Sequence, residues 1–436
     1  AIYQPQAGAI NVYGGLVEGY CAIGIKSGTL NISGGTVRGT ANDHVLDDSN
    51  STSGGMNYDG SAIIVDSRAA GYAGNVNINV TGGTVESCYS TAIREIGEQD
   101  KPSMTQLTKL NITGGSVLGA SQELGNVTND MLVRDISSSN VSVSGGTFNH
   151  AVPETYCADG FIPTKNADDT YGVKAMPVAK IGTVEYATLA DAIAAATDGD
   201  TVTLMADINT PETSYYIQKS LTIDLAGKTL TGSGYDGVFN IEGENAAVLI
   251  KNGKIVAVEQ TGTEGKYTMA VWACAAGCKV TLEDLDVSQQ ITHTDDKQMD
   301  MIYTSKGTII INSGRFESGT PAWTLNCKDS AYKDGTAKII VNGGTFVGYD
   351  PRNNKAEGEG TSFVATGVGV DAADGSFTAK AGMTAQVMDA KGASVKAFAT
   401  LADAIAAATR NSTVTLLAWG LLALATAFDH IPSFRA

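Results

Sequence analysis

Apolar and polar residues alternate in short runs along this chain, and many runs end on a pair of glycines. The pattern apolar, polar, apolar, polar, Gly-Gly, Thr/Ser, apolar recurs as NISGGTV from Asn31 to Val37, NVTGGTV from Asn79 to Val85 and NITGGSV from Asn111 to Val117. It returns as SVSGGTF from Ser142 to Phe148 and IVNGGTF from Ile340 to Phe346. Weaker copies are IKNGKI (Ile250 to Ile255) and INSGRF (Ile311 to Phe316), and LEDLDV (Leu282 to Val287) fills the slot without glycine. A two-residue period is that of a strand with one buried face. The paired positions begin at 14, 34, 82, 114, 145, 252, 284, 313 and 343, so most intervals are about thirty residues and the shortest is twenty.

A period of this size indicates a solenoid. Twenty residues hold three short strands, around Leu16 to Glu18, Ala22 to Lys26 and Leu30 to Ser33. A three-sided coil stacked on the next through backbone hydrogen bonds is a parallel β-helix. Its corners need positive φ or close backbone approach, which suits glycine, and its strands suit Thr, Val and Ile. Asn31, Asn79 and Asn111 recur at one outward slot beside the corner, either bonded along a stack or solvated. The surplus in longer intervals falls in turns, at Thr40 to Gly60, Ile96 to Lys109 and Gly119 to Asp130, which project from the flank and form the expected contact surface.

A longer repeat marks modules. ATLADAIAAAT occurs at Ala187 to Thr197 and again at Ala399 to Thr409, 212 residues on. Thr188 with Asp191 forms a capping-box variant, and Leu189, Ala192, Ile193 and Ala196 share one helical face. The helix is expected to stop at Asp198-Gly199, before a strand from Thr201 to Leu204. Such a helix would cover the open end of a coil and blunt its strand edges. The expected organisation is a module at residues 1–177 lacking its cap helix, then a complete module at 178–390 with cap helix 188–197. A third module starts at 391–436, with cap helix 400–409 and a divergent apolar tail. Phe161 to Ala175 roughly matches Phe363 to Ala379, so each module closes in a similar way.

The tandem Gly-Gly-Thr-Val/Phe coils, and the helix running from Ala192 into Asp198-Gly199-Asp200-Thr201-Val202, resemble the pectin-lyase-like right-handed β-helix superfamily. Together with the repeated TLADAIAAAT they look like large repetitive surface proteins of Gram-positive gut bacteria. The resemblance implies an all-β fold of right-handed parallel β-helix modules with short N-terminal cap helices. It covers nearly all of the chain except the last eighteen residues. It says little of function, because this fold hosts lyases, hydrolases, tailspikes and adhesins. The Gly-His-Gly and Arg-Ile-Lys motifs of the related hydrolases are missing. Lyases of the fold pair calcium-binding carboxylates with an Arg or Lys base; the nearest hint is Asn42-Asp43-His44 with Asp47 and Asp48, and the basic partner is missing.

Composition narrows the field. Asp and Glu outnumber Lys and Arg, 46 to 29, for a net charge of −17 over 436 residues. That repels nucleic acid and anionic membranes. Four histidines leave little general-base material. Of six cysteines only Cys274 and Cys278 are close, without the second pair a zinc site needs. The apolar run from Leu416 to Phe428 is too short for a membrane span, and the first residues carry no signal sequence, as in a processed or excised segment.

Two acidic turns gather hard oxygen ligands suited to calcium: Asp43, Asp47 and Asp48 in one, Asp295, Asp296 and Asp300 in the other. Solvated acidic turns are the plainer reading. Trp272 and Trp323 are read as lying in comparable strands of neighbouring coils, with Tyr267 and Tyr349 nearby, as platforms for sugar rings or as core. No other cofactor is indicated. The resulting expectation is a non-enzymatic, extracellular adhesin-like stalk on a bacterial cell surface, meeting host glycan, mucin or surface protein. The alternative is a polysaccharide lyase or glycoside hydrolase of the β-helix superfamily.

Overall fold

Alternation governs the backbone from the first strand onward. A computed structural model describes residues 1–42, 60–66, 74–96, 107–120, 138–262, 267–291, 299–354, 356–358, 360–389 and 395–417. The protein is predominantly β and divides into two compact units, Ala1–Met176 and Pro177–Ala436.

In the first unit three strands recur in a fixed order. Ile2–Gln4, Ile23–Ile25, Ile63–Asp66 and Ile93–Ile96 pair in parallel as one sheet. Ala9–Val12, Gly28–Ile32, Val76–Val80, Leu107–Ile112 and Val141–Val143 form a second. Leu16–Gly19, Thr36–Gly39, Thr84–Ser87, Ser116–Leu118 and Thr147–Phe148 form a third. Equivalent residues stand in register, so Leu30, Ile78 and Leu110 make one apolar row and Ile32, Val80 and Ile112 another. Inward residues of all three sheets meet in one core cluster. An antiparallel hairpin, Phe161–Lys165 and Tyr171–Ala175, ends the third sheet.

Register also stacks the outward polar residues. Asn31 Nδ2 donates to Asn11 Oδ1, Asn79 Nδ2 to Asn31 Oδ1 and Asn111 Nδ2 to Asn79 Oδ1, each at 2.9 Å. The repeated asparagine is therefore a ladder in which the inner amides, Asn31 and Asn79, each give one bond and take one. On the third sheet Arg38 lies between Glu18 and Glu86 and binds both carboxylates. Replacing Asn79 by alanine removes two ladder bonds at once. We expect a loss of about 1 kcal/mol, read as a fall of roughly 2–4 °C in the melting temperature. No shift in thermal unfolding would show that water replaces the ladder without loss.

The second unit begins with the hairpin Ala179–Ile181 and Val184–Tyr186, followed by the helix Leu189–Ala195. Thr188 Oγ1 accepts from Asp191 N at 3.0 Å, and Leu189, Ala192, Ile193 and Ala196 are buried. The helix stops earlier than the glycine suggests: Ala196 is already extended, and the Asp200 carboxylate takes both Thr197 N and Thr197 Oγ1. Parallel strands then recur as in the first unit. At two bends the strands Ala247–Val258 and Lys279–Gln290 run on without a break. There Asn252 (φ 60°) and Asp284 (φ 49°) take the left-handed conformation, which short polar side chains tolerate better than most.

The unit closes as the first does: Ser376–Ala381 pairs antiparallel with Gly344–Val347 and with Val368–Ala373. The second copy of the helix, Leu401–Ala407, carries the same cap, Thr400 on Asp403. Its strand, Thr413–Leu416, joins the sheet of this unit. Among the described residues no helix is long and apolar enough to cross a membrane; most of the apolar tail lies outside them.

Candidate functional site

One sheet of the second unit presents a column of aromatic and amide side chains. Tyr215–Ile217, Phe239–Ile241, Val271–Ala273, Ile302–Thr304 and Leu325–Cys327 pair in parallel. In each strand the outer two residues alternate with a middle one. Tyr215, Ile217, Phe239, Ile241, Val271, Ala273, Ile302, Leu325 and Cys327 enter the core. The middle residues, Tyr216, Asn240, Trp272, Tyr303 and Asn326, align in register on the opposite face. Neighbouring members are separated by about 4.8 Å, the spacing of strands in a sheet.

The polar edges of these rings are held. Tyr216 OH donates to Asp236 Oδ2 at 3.0 Å, and Trp272 Nε1 donates to Ser305 Oγ at 3.0 Å. The Trp272 and Tyr303 rings lie 6.2 Å apart at 44°. Asn240 Oδ1 accepts from the Cys274 thiol at 3.1 Å. Burial, then the nearby Glu242, pushes that thiol up to about 11, so it is an inert hydrogen-bond donor rather than a nucleophile. All six cysteines are free, and Cys21, Cys278 and Cys327 are buried.

Chemistry concentrates at one end of the column. Asp300 is only 9% exposed, and its Oδ1 accepts from Asn326 Nδ2 at 2.9 Å. Burial pushes its carboxyl up to about 7, opposed by the Asn326 bond and assisted by Glu357. Tyr303 is pushed up to about 12, first by burial and then by Asp300. Glu357 accepts from Cys327 N at 2.9 Å, and burial raises its carboxyl as well. Asn326 Oδ1 is buried without a hydrogen-bond partner. With the amide nitrogen turned to Asp300, the amide oxygen is the atom left over; once Asp300 is ionised its carboxylate only accepts and keeps the amide in that orientation.

The residues singled out in the sequence part company here. Trp272 lies in the column, half-buried. Trp323 does not stand in a comparable strand: it occupies the 3-10 turn Pro321–Trp323, two residues before the strand Leu325–Cys327 begins. Register sets Tyr303 beside Trp272 and Asn326 beyond that, so the two tryptophans are not neighbours across one rung. Pro321 opens the turn, and Trp323 contributes its carbonyl to Met301 N at 3.1 Å. Tyr267 is exposed, its ring 6.0 Å from that of Tyr235.

Tyr349 is 4% exposed and sits in the core, its ring packed edge-on to Phe346 at 6.1 Å, out of reach of an external sugar. Asp43, Asp47, Asp48, Asp295 and Asp296 lie outside the described residues, and Asp300 is turned toward Asn326. Among the described residues no three His, Cys, Asp or Glu side chains group as a metal would require.

Tyr216, Asn240, Tyr303 and Asn326 were not singled out in the sequence. They are 24, 63 and 23 residues apart in turn, and only cross-strand register reveals that they form one face. Comparison with protein-family models, curated proteins and solved structures returns no match.

Proposed function

We propose that this chain is a non-enzymatic, extracellular segment of an adhesin-like bacterial surface protein. In this reading its units are right-handed parallel β-helix modules of the pectin-lyase-like kind, serving as a stalk. Its contact with host or mucin glycan is the column Tyr216–Asn240–Trp272–Tyr303–Asn326. The modular reading is supported by triplets of strands that return to the same parallel sheets in register. The binding reading is carried by the column itself: the exposed Tyr216 and the half-buried Trp272 and Tyr303 share one sheet face, at strand spacing, with the buried amides of Asn240 and Asn326. Such a face suits a sugar chain, whose ring faces are apolar and whose rims carry hydroxyls. Repetition of modules would multiply weak contacts into useful avidity.

The test is calorimetric titration of the whole chain with neutral, amino-bearing and acidic oligosaccharides and with mucin, with and without Ca²⁺. Trp272→Ala should weaken binding by about tenfold or more, as for a central aromatic contact. Unaltered affinity in a variant that still folds, judged by circular dichroism, would remove the column from the binding surface.

Asp300 favours a second reading, a polysaccharide lyase or glycoside hydrolase, because a carboxyl titrating near neutrality is suited to general acid–base chemistry. Unsaturated or new reducing ends after incubation with the same panel would establish it in place of the first.

A further inference from the structure

We infer that the Asp300–Asn326 end of the column takes the protonated amine of an amino sugar, so that the glycan class recognised is cationic. The inference rests on the column being a glycan contact and names what that contact selects.

The first ground is an acceptor with nothing to accept. Asn326 is 8% exposed, its Nδ2 is spent on Asp300 Oδ1, and its Oδ1 is buried and unpartnered. A buried polar atom without a partner is unfavourable and marks where a ligand atom or bound group belongs. What it lacks is a donor.

The second ground is the charge beside it. Above about pH 7 Asp300 brings a carboxylate to the same spot, and among the described residues no Lys or Arg pairs with it. Asp236 and Glu242 act on Tyr216 at one end of the column. Asp300 and Asp329 act on Tyr303, and Glu357 acts on Asp300. Against these stand Lys306, which acts on Cys274, and Lys333, which acts on Glu357. Among the described residues the balance along the column is negative. A uronate, sialic acid or sulfated sugar would be repelled, whereas an ammonium group supplies three donors and a positive charge.

The third ground is the aromatic pair. Trp272 and Tyr303 precede Asn326 in the column. Ring faces attract cations as well as the apolar faces of sugars. A 2-amino-2-deoxy sugar stacked on these rings would bring its amine toward the acceptors at Asn326 and Asp300. Acetylation of that amine removes the charge and two of its donors while leaving the sugar ring unchanged.

That single chemical difference supplies the experiment. The whole chain is titrated at about pH 7.5, where Asp300 is mostly ionised and an amino-sugar amine is still partly protonated, with short β-1,4-linked oligomers of glucosamine, N-acetylglucosamine, glucose and galacturonate. The glucosamine oligomer should bind about tenfold more tightly than its acetylated counterpart, the worth of one charge-assisted hydrogen bond, and galacturonate least. Asp300→Asn should erase the preference for the free amine over the acetylated oligomer, and its melting temperature at the same pH shows that it folds.

Equal binding of the glucosamine and N-acetylglucosamine oligomers, a preference for galacturonate, or an intact preference in Asp300→Asn would each overturn the inference, with the glycan column standing if Trp272→Ala still loses affinity. No binding of any oligomer, or binding that Trp272→Ala does not touch, would instead overturn the glycan reading and this inference with it.

Discussion

Gly83→Val should lower the stability of the first unit by about 4 kcal/mol or more, at the upper end of what single substitutions do. Two effects act together. Gly83 has φ +74°, a conformation that costs an L residue roughly 1–2 kcal/mol and is worst for a β-branched one. A Cβ there would also stand 2.7 Å from Gly35 O and 2.8 Å from Gly34 C. Those atoms are backbone of the preceding rung and cannot rotate away, so the rungs must separate. The bonds at risk are Thr81 N to Ile32 O, 2.8 Å, and Thr84 N to Gly35 O, 2.8 Å.

The control is Gly160→Val. Gly160 has φ +78°, nearly the same conformation, with nothing within 4 Å of its would-be Cβ. It should lose only the conformational part, about 1–2 kcal/mol. Urea unfolding followed by circular dichroism compares the two. Equal losses would mean that the corner glycines serve φ alone and that close rung-to-rung approach is not what holds them.

Those corners explain why so much of the architecture is readable in the residues. In the first unit a Gly-Gly pair marks one corner of the described rungs, where backbone geometry demands it, and inward Val, Ile and Leu repeat because the neighbouring rung repeats. Both are local signals. The asparagine ladder is legible for the same reason, since Asn31, Asn79 and Asn111 keep a constant offset from the glycines.

The candidate site is different. Asn240, Trp272, Tyr303 and Asn326 face one another only because loops of unequal length return the chain to the same sheet, with intervals of 32, 31 and 23 residues. No local pattern encodes that. Trp323 shows the hazard: the interval from Trp272 suits a strand position one or two rungs on, yet Pro321 and the turn it opens place the residue ahead of its strand.

Identical segments need not be equally buried either. Leu189 and Ile193 of the first helix copy are buried, whereas Leu401 and Ile405 of the second are half-buried. The first copy packs on its hairpin and on the strands Thr201–Leu204 and Tyr215–Ile217. The second has the hairpin and first strand, but no described counterpart to Tyr215–Ile217. Amphipathic spacing tells which face is apolar; what covers it is decided elsewhere in the chain.

Asp300 should make the protein less stable as pH rises from about 4 to about 7, the reverse of an ordinary paired aspartate. Burial pushes its carboxyl up from 3.8 to about 7 in the folded chain. Unfolding returns it to water, where it ionises near pH 3.9. Between those values the folded state holds a proton that the unfolded state has released, so each rise in pH favours unfolding. Below about pH 4 both states are protonated and Asp300 contributes no slope; above about pH 7 both are ionised and the deficit is constant.

A shift of about three units sets a ceiling of about 4 kcal/mol on that deficit. The Asn326 bond and local relaxation reduce what is observed, and about 2 kcal/mol at pH 8 is expected. Other carboxyls add their own slopes: Glu357 is raised by burial and acts in the same sense, while Asp168, Asp200 and Asp334 are lowered by hydrogen bonds and act below pH 4 in the opposite one. The difference between the parent and Asp300→Asn isolates the one group. An amide in place of the carboxylate keeps the shape and can still accept from Asn326 Nδ2.

Urea unfolding of both proteins from pH 4 to pH 8 should show the variant near parity at the acid end and more stable by about 2 kcal/mol at the other. A difference independent of pH would mean that Asp300 ionises normally and that water reaches it. A parent whose deficit shrinks when glucosamine oligomer is added at about pH 7.5, where Asp300 is mostly ionised, with no such gain in Asp300→Asn, would tie this buried carboxyl to the ligand it is inferred to meet.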